Sequence, residues 1–307
     1  MPVFVVGPLA FDDVRTTAAH RRDVLGGSGL YASLAAAKHG PVALVSVVGE
    51  DFRDAALAPL VAAHVDLSGV ARRQGKTLRW SGRYGTDFAT SDVRNTELGV
   101  VAGWRPRPPP AATGTFVLLA NTDPAAQLGA LESFGRPELL VVDTMDEWIQ
   151  RERTSLERVI ARADIVSLTE PELLSLAGTG DVGSAAGLLI GQGPRAVVLK
   201  RGDSGVTLFD PGPQFSVPAY PARTIDPTGA GDALAGAFLG ALARTGAASD
   251  QRIREAVLHG AVAASFAVES FGADALSRAT AHDLDLRYRW LAARTGTAGG
   301  TGLYQRR

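Results

Sequence analysis

The chain has 307 residues, 46% of them apolar, and a formal charge of −1. This length and apolar content suit one large α/β domain with an appendage, and the charge excludes a global basic field that would draw the chain to nucleic acid or an anionic membrane. Cysteine is absent, which excludes disulfides, thiolate catalysis and Cys-based metal sites.

The opening residues, MPVFVVGPLAFDD, lack the basic segment of a signal peptide and read as a buried strand at Val3–Val6. No apolar run reaches the ~20 residues of a membrane span, so a cytoplasmic protein is expected. In LGGSGLYASLAAAKHG the glycines precede a helix at Ser28–His39, whose first amides are placed to bind a polar ligand or simply to join loop and helix. A strand at Val42–Val48 and a helix at Asp51–His64 follow. GVARRQGKT (Gly69–Thr77) approaches a P-loop, but five residues separate its glycines where a P-loop has four, and strand-like sequence follows. It reads as the start of a hairpin. Lys76–Val100 has no helical period; Leu78, Trp80 and Val93 alternate with polar residues, as in a half-exposed sheet that forms a small lid. WRPRPPP (Trp104–Pro110) is a stiff return to the main domain.

Apolar strands at Phe116–Ala120, Leu139–Val142, Ile165–Leu168 and Ala196–Leu199 alternate with helices at Pro124–Phe134, Asp146–Ala163 and Gly183–Ile190. This alternation predicts a mostly parallel sheet covered on both faces, with ligands beyond the carboxyl ends of its strands. Asn121 and Asp143 stand at such ends and read equally as helix caps or cleft residues. KRGDSGVTLFD (Lys200–Asp210) reads as a hairpin bordering the same end.

In IDPTGAGDALAGAFLGAL (Ile225–Leu242), Ala230, Leu234, Ala237, Phe238, Ala241 and Leu242 share one helical face. The helix therefore starts near Gly229, leaving the amides of Gly229, Ala230 and Gly231 free and unshielded. The macrodipole adds about half a positive charge there. Asp232, in the first turn, is either a helix-start acid worth roughly 0.3–1 kcal/mol or a base beside an anion pocket. The Gly/Thr-rich end, ARTGTAGGTGLYQRR, predicts a disordered tail over 293–307.

DPTGAGD resembles the D-T-x-G-A-G-D signature of the ribokinase (PfkB) family of carbohydrate kinases. GGSGLYASLAAAKHG followed by VSVVGEDF resembles the family's other signature, and GPLAFDD its first strand and acceptor-binding acid. The matches fall in the family's order and span about residues 3 to 272. The resemblance implies a ribokinase-like three-layer αβα fold with a mostly parallel central sheet and a small β lid. The kinase domain would span 1–292, with lid elements at about 11–24 and 76–103. Asp232 would be the catalytic base and Gly229, Ala230 and Gly231 the anion hole. Asp12, Gly26, Gly27, Tyr31 and Asp51 would lie at the acceptor pocket. Lys200, Gly202, Gly205, Thr228, Ala261, Ser265 and Gly272 would border the adenine nucleotide. Glu172 would be linked to magnesium, and Asp226 would shape the turn or the cation environment; a monovalent cation is a further cofactor the family pattern admits.

Three positions depart from the family pattern. Pro227 replaces Thr after the first Asp, Thr169 replaces Asn in the N-x-x-E motif, and Tyr31 stands where sugar kinases commonly carry Asn. The last bears on the acceptor, since Tyr offers one hydroxyl and a stacking face in place of an amide. The implied activity is transfer of the γ-phosphoryl group of MgATP to a hydroxyl, usually primary, of a small carbohydrate. Tyr31, Trp80, Tyr84 and Phe88 keep a nucleoside acceptor as the alternative, and a catalytically silent binding protein is a third reading. Lids of this kind pair in the family, which implies a homodimer. The five histidines show no metal-ligand spacing.

Overall fold

A computed structural model of the chain describes residues 2–86, 88, 91–109, 115–246 and 248–296. Three residues of the expected lid (87, 89 and 90), Pro110 of the expected linker and 297–307 of the expected tail lie outside the described residues.

The strands are β1 (Val3–Val6), β2 (Ala10–Arg15), β3 (His20–Gly26), β4 (Val42–Val48), β5 (Asp66–Arg72), β6 (Leu78–Tyr84), β7 (Ser91–Glu97), β8 (Phe116–Leu119), β9 (Leu139–Asp143), β10 (Ile165–Thr169), β11 (Ala196–Lys200), β12 (Val206–Phe209) and β13 (Phe215–Val217). The helices are α1 (Ser28–Ala37), α2 (Ala58–Ala62), α3 (Pro124–Phe134), α4 (Asp146–Arg151), α5 (Arg153–Ile160), α6 (Glu170–Ala177), α7 (Val182–Ile190), α8 (Ala230–Thr245), α9 (Asp250–Ala267), α10 (Asp274–Arg278) and α11 (Ala281–Thr295).

Nine strands form one sheet in the order β13-β12-β11-β10-β9-β8-β1-β4-β5. Pairing is parallel from β5 through to β11; β12 pairs antiparallel with both β11 and β13, so among the described strands of this sheet β12 alone runs in the opposite direction. The buried runs VFVV, FVLL and LLVVD show why: strands covered on both faces are apolar at every position. Val3, Val5, Leu44 and Leu118 pack on one face with α1, α8 and α9; Phe4, Val6, Val45 and Leu119 pack on the other with α3, α5 and α7. This is the expected αβα sandwich. The strand order reverses between β1 and β8, which opens a crevice at their carboxyl ends.

A separate four-stranded sheet, β3-β2-β6-β7, forms the small β element. Its centre pairs β2 with β6 in parallel, so residues 10–26 and 78–97 build one surface although far apart in sequence.

Several boundaries differ from those expected. The helix expected over Asp51–His64 is a 3-10 turn at Asp54–Leu57 followed by the five-residue α2, because Pro59 suits only a first turn. Gly69–Arg72 belongs to β5, an edge strand of the main sheet. The helix expected over Asp146–Ala163 breaks at Glu152, which leaves helical geometry at φ −127 and ψ 31. The final helix runs to Thr295 and so takes in the first three residues, 293–295, of the expected tail.

Candidate active site

The helix of the GAGD stretch begins as the apolar period predicts. Gly229 is the N-cap of α8, with φ 78 and ψ 0, and the Ala230 amide donates to the Pro227 carbonyl at 3.2 Å. Those values fit the third position of a type II turn, where a positive φ favours glycine. Pro227 opens that turn and contributes only its carbonyl. Asp226 Oδ1 accepts the Thr228 amide at 2.9 Å, so neither ring uses an N–H at 227. The departure from the family's Thr therefore costs the turn no hydrogen bond.

Small residues then seat α8. A Cβ on Gly236 would run into the backbone of Ala32, and one on Gly240 would lie 2.9 Å from the Ala36 carbonyl oxygen. The two helices thus approach at backbone distance. This fixes the first turn of α8 against α1, whose own N-cap is Gly27.

Between these two helix starts lies a cavity of about 250 Å3. Asp12, Gly27, Tyr31, Thr228 and Asp232 line it, as do Trp80, Tyr84, Asn121, Met145 and Trp148. The structure thus brings the expected base and most of the expected acceptor residues to one hollow under the small sheet. Asp12 is buried, and its carboxylate occupies the space where Gly26 would carry a Cβ. Thr228 Oγ1 donates to the Tyr84 hydroxyl at 3.2 Å, joining the α8 turn to the small sheet.

Several expected residues lie apart from this cavity. Asp51 accepts the amide and the hydroxyl of Thr77 at 2.8 and 2.7 Å, so it pins the base of the small sheet and does not line the hollow. Ser265 donates to the Val262 carbonyl at 2.6 Å and accepts from Arg287 at 2.9 Å. Ala261 is buried in α9 beside it. Gly272, with φ 66, packs near Val24 of β3. Gly202 and Gly205 form the tight turn of the β11–β12 hairpin.

A charged network lies behind the amides of α8. Lys200 Nζ donates to Asp143 Oδ1 at 2.7 Å, with side chains 13% and 2% exposed. A Cβ on Gly231 would lie 3.2 Å from that ammonium, so Lys200 reaches the expected anion hole. Burial pulls the ammonium down, but the carboxylates of Asp143 and Glu172 outweigh it and hold Lys200 above its ordinary range. Burial raises Asp232 to about 7; Asp143 adds to the rise and Lys200 opposes it. Burial also raises Asp12 to about 8, with Asp226 and Asp232 adding to the rise.

Glu172 closes a capping box on α6: its Oε2 accepts the Thr169 amide at 2.7 Å. Thr169 is a good N-cap residue, which accounts for its tolerance in place of Asn. Burial raises the Glu172 carboxyl, and Lys200 partly offsets this. Among the described residues, no three or more His, Asp or Glu side chains cluster closely enough to hold a metal. Asp226 is buried, and its Oδ2 has no hydrogen-bond partner.

Trp148 and Met145 escape sequence reasoning. Trp148 Nε1 donates to Asn121 Oδ1 at 3.0 Å, and the Asn121 amide reaches Met145 Sδ at 3.2 Å. Their only sequence signal is position after β9, at a carboxyl end that borders the crevice, as Asn121 stands after β8.

The model of the pfkB family carbohydrate kinases matches residues 121–280. A cytidine kinase of Thermococcus kodakarensis is 31% identical over 253 residues, covering 80% of this chain and 89% of its own. The nucleoside kinase of Methanocaldococcus jannaschii shares the fold with a TM-score of 0.74 at 19% identity, over 94% of this chain and 98% of that one. The fructokinase of Vibrio cholerae O395, solved with fructose, ADP and calcium, shares it with a TM-score of 0.72 at 21% identity, over 94% and 98%. With the family model spanning more than half of the chain and the relative spanning four-fifths of it, the chain belongs to the pfkB family of carbohydrate kinases.

Proposed function

We propose that this chain transfers the γ-phosphoryl group of ATP to a hydroxyl, in the first instance a primary one, of a small carbohydrate, with Asp232 as the base. The observation that carries this is the position of Asp232. It lines the acceptor hollow in the first turn of α8, and burial raises its carboxyl to about 7, where a carboxylate can take and return a proton near neutrality.

The chain's own residues supply orientation and charge. Asp12 holds acceptor hydroxyls, Gly26 leaves room for its carboxyl, and Gly27 lets the start of α1 approach the Pro8–Ala10 backbone beside it. The amides of Gly229, Ala230 and Gly231 stabilise negative charge as preorganised donors, and Lys200 adds a positive charge behind Gly231. The small sheet excludes water over the hollow. Bound MgATP supplies the transferable group and a metal that offsets its charge. Magnesium would arrive on the nucleotide, and Glu172 would hold it through water. The unpartnered Asp226 Oδ2 fits a monovalent cation beside the α8 turn. Lys200, Gly202, Gly205, Thr228, Ala261, Ser265 and Gly272 border the nucleotide in this reading; for Ser265 it requires Arg287 to release the hydroxyl. The functional domain spans 1–292, the enzyme is cytoplasmic, where ATP is available, and it pairs through its small sheet. The family's pairing lids support that dimer.

A nucleoside acceptor is the second reading. Trp80, Tyr84, Trp148 and Met145 around the hollow favour it, since they offer flat apolar surface to a base. The cytidine kinase relative supports it as well. An acceptor screen with MgATP decides between them: free pentoses, hexoses and cyclitols against purine and pyrimidine nucleosides. Phosphorylation of free sugars alone supports the first reading, and of nucleosides alone the second. Nucleotide binding without transfer to any acceptor would overturn both.

A further inference from the structure

A second hollow, of about 320 Å3, lies on the far side of the segment that returns from the small sheet. Its floor is the edge strand β5, where Gly69 and Ala71 contribute almost no side chain. Its wall is Gly103–Arg107. Arg73, Arg105 and Arg107 line it, and no acidic residue does. Part of the near-P-loop stretch GVARRQGKT is thus here, in a role unrelated to a P-loop.

Among the described residues, the three guanidinium groups lack counter-charges: none of them meets a carboxylate within ion-pair distance, and Arg105 and Arg107 make no hydrogen bond. Arg73 spends one nitrogen on the Val100 carbonyl at 3.0 Å, leaving the rest of its fork free. Three like charges around one concavity repel each other, and the chain's net charge of −1 rules out a general basic surface as the reason for them. A hollow of this size holds a small molecule rather than a strand of nucleic acid. Planar guanidinium forks match phosphate oxygens in pairs. We propose that this groove is a second anion site, for a small phosphate-bearing metabolite.

The site shares a wall with the acceptor hollow. Leu98 and Val101 face the acceptor side, and Gly103, Trp104 and Arg105 face the groove. The Val100 amide donates to the Lys76 carbonyl at 2.9 Å while its own carbonyl holds Arg73. An anion in the groove therefore braces the segment that carries one side of the acceptor hollow.

Titration calorimetry tests the site on protein saturated with magnesium and a non-hydrolysable ATP analogue, which blocks the phosphate-binding amides of α8. The probes are inorganic phosphate and pyrophosphate, which separate a single phosphate from a diphosphate. At least one should bind near one equivalent, and Arg105→Ala/Arg107→Ala should weaken it about tenfold or more. The variant should keep the wild-type melting temperature and kcat, since neither arginine touches the acceptor hollow. Absence of binding by the wild type, or equal affinity in the two proteins, overturns the proposal.

Discussion

The ring of Tyr31 occupies the space that a side chain at Gly229 would fill. A Cβ placed on Gly229 would lie closer to three Tyr31 ring atoms than real contacts allow. Tyr31 is 1% exposed and sits in the first turn of α1; Gly229 caps α8. One aromatic ring therefore sets the spacing between the α1 side of the hollow and the turn proposed to bind the anion. Gly229→Ala combines this overlap with a left-handed φ of 78. It should destabilise the protein by about 1–3 kcal/mol and depress kcat more than the acceptor KM, because the amides move while Asp12 does not. Thermal melts and steady-state kinetics check this. Wild-type kcat in a folded Gly229→Ala protein would remove the turn from the mechanism.

Asp232→Asn should lower kcat by about 100- to 10,000-fold while the fold persists. The wild type should gain activity as pH rises through about 7, where the raised Asp232 carboxyl loses its proton. The variant's residual activity should lack that limb. The pH dependence of kcat, with circular dichroism as the control for folding, measures both. Near-wild-type turnover in the variant discards Asp232 as base.

Lys200 separates electrostatic support from direct contact. Lys200→Met leaves Asp143 buried and unpaired, at a cost of about 3–5 kcal/mol. It also removes the charge that restrains Asp232, so the acidic limb of activity should move to higher pH. Asp143 acts on Asp232 in the opposite sense. Lys200→Met/Asp143→Asn should therefore regain most of the stability and return the limb towards its wild-type position. Any loss of kcat that survives in the double variant belongs to the contact of Lys200 with the α8 turn. An unshifted limb in Lys200→Met would show that the ammonium does not act on Asp232.

How much of this was legible in the sequence depended on the range of the interaction. The buried runs of β1, β8 and β9 and the period of α8 are local, so the sandwich and the start of α8 follow from neighbours in the chain. The Asp232 position follows from that start. The pairing of β2 with β6 joins residues nearly 70 apart, and no local pattern specifies it. Asn121 read equally as a cap because its role depends on Trp148, which approaches only after α4 folds back over the crevice. Asp51 read as an acceptor residue from its motif, yet Thr77, brought beside it by the tertiary fold, takes its carboxylate. The break at Glu152 has no proline or glycine to announce it in the sequence.

Asp12 should trade stability for function. It is 3% exposed, and burial, with Asp226 and Asp232 nearby, raises its carboxyl to about 8. In the unfolded chain the same carboxyl has a pKa of about 3.9. Between those values the folded protein holds a proton that the unfolded chain has released, so stability declines as pH rises through this window. The contribution is fully present below about 4 and is lost by about 8. Asp12→Asn removes that dependence. It should melt higher than the wild type at pH 8, by about 1–3 kcal/mol in stability, and the advantage should shrink as the pH falls towards 5. The same variant should raise the acceptor KM, because an amide replaces the group proposed to grip acceptor hydroxyls. Melting curves at several pH values, set beside acceptor kinetics, test both halves. A stability difference that stays constant with pH would mean that Asp12 does not titrate on folding, and an unchanged KM would remove it from acceptor binding.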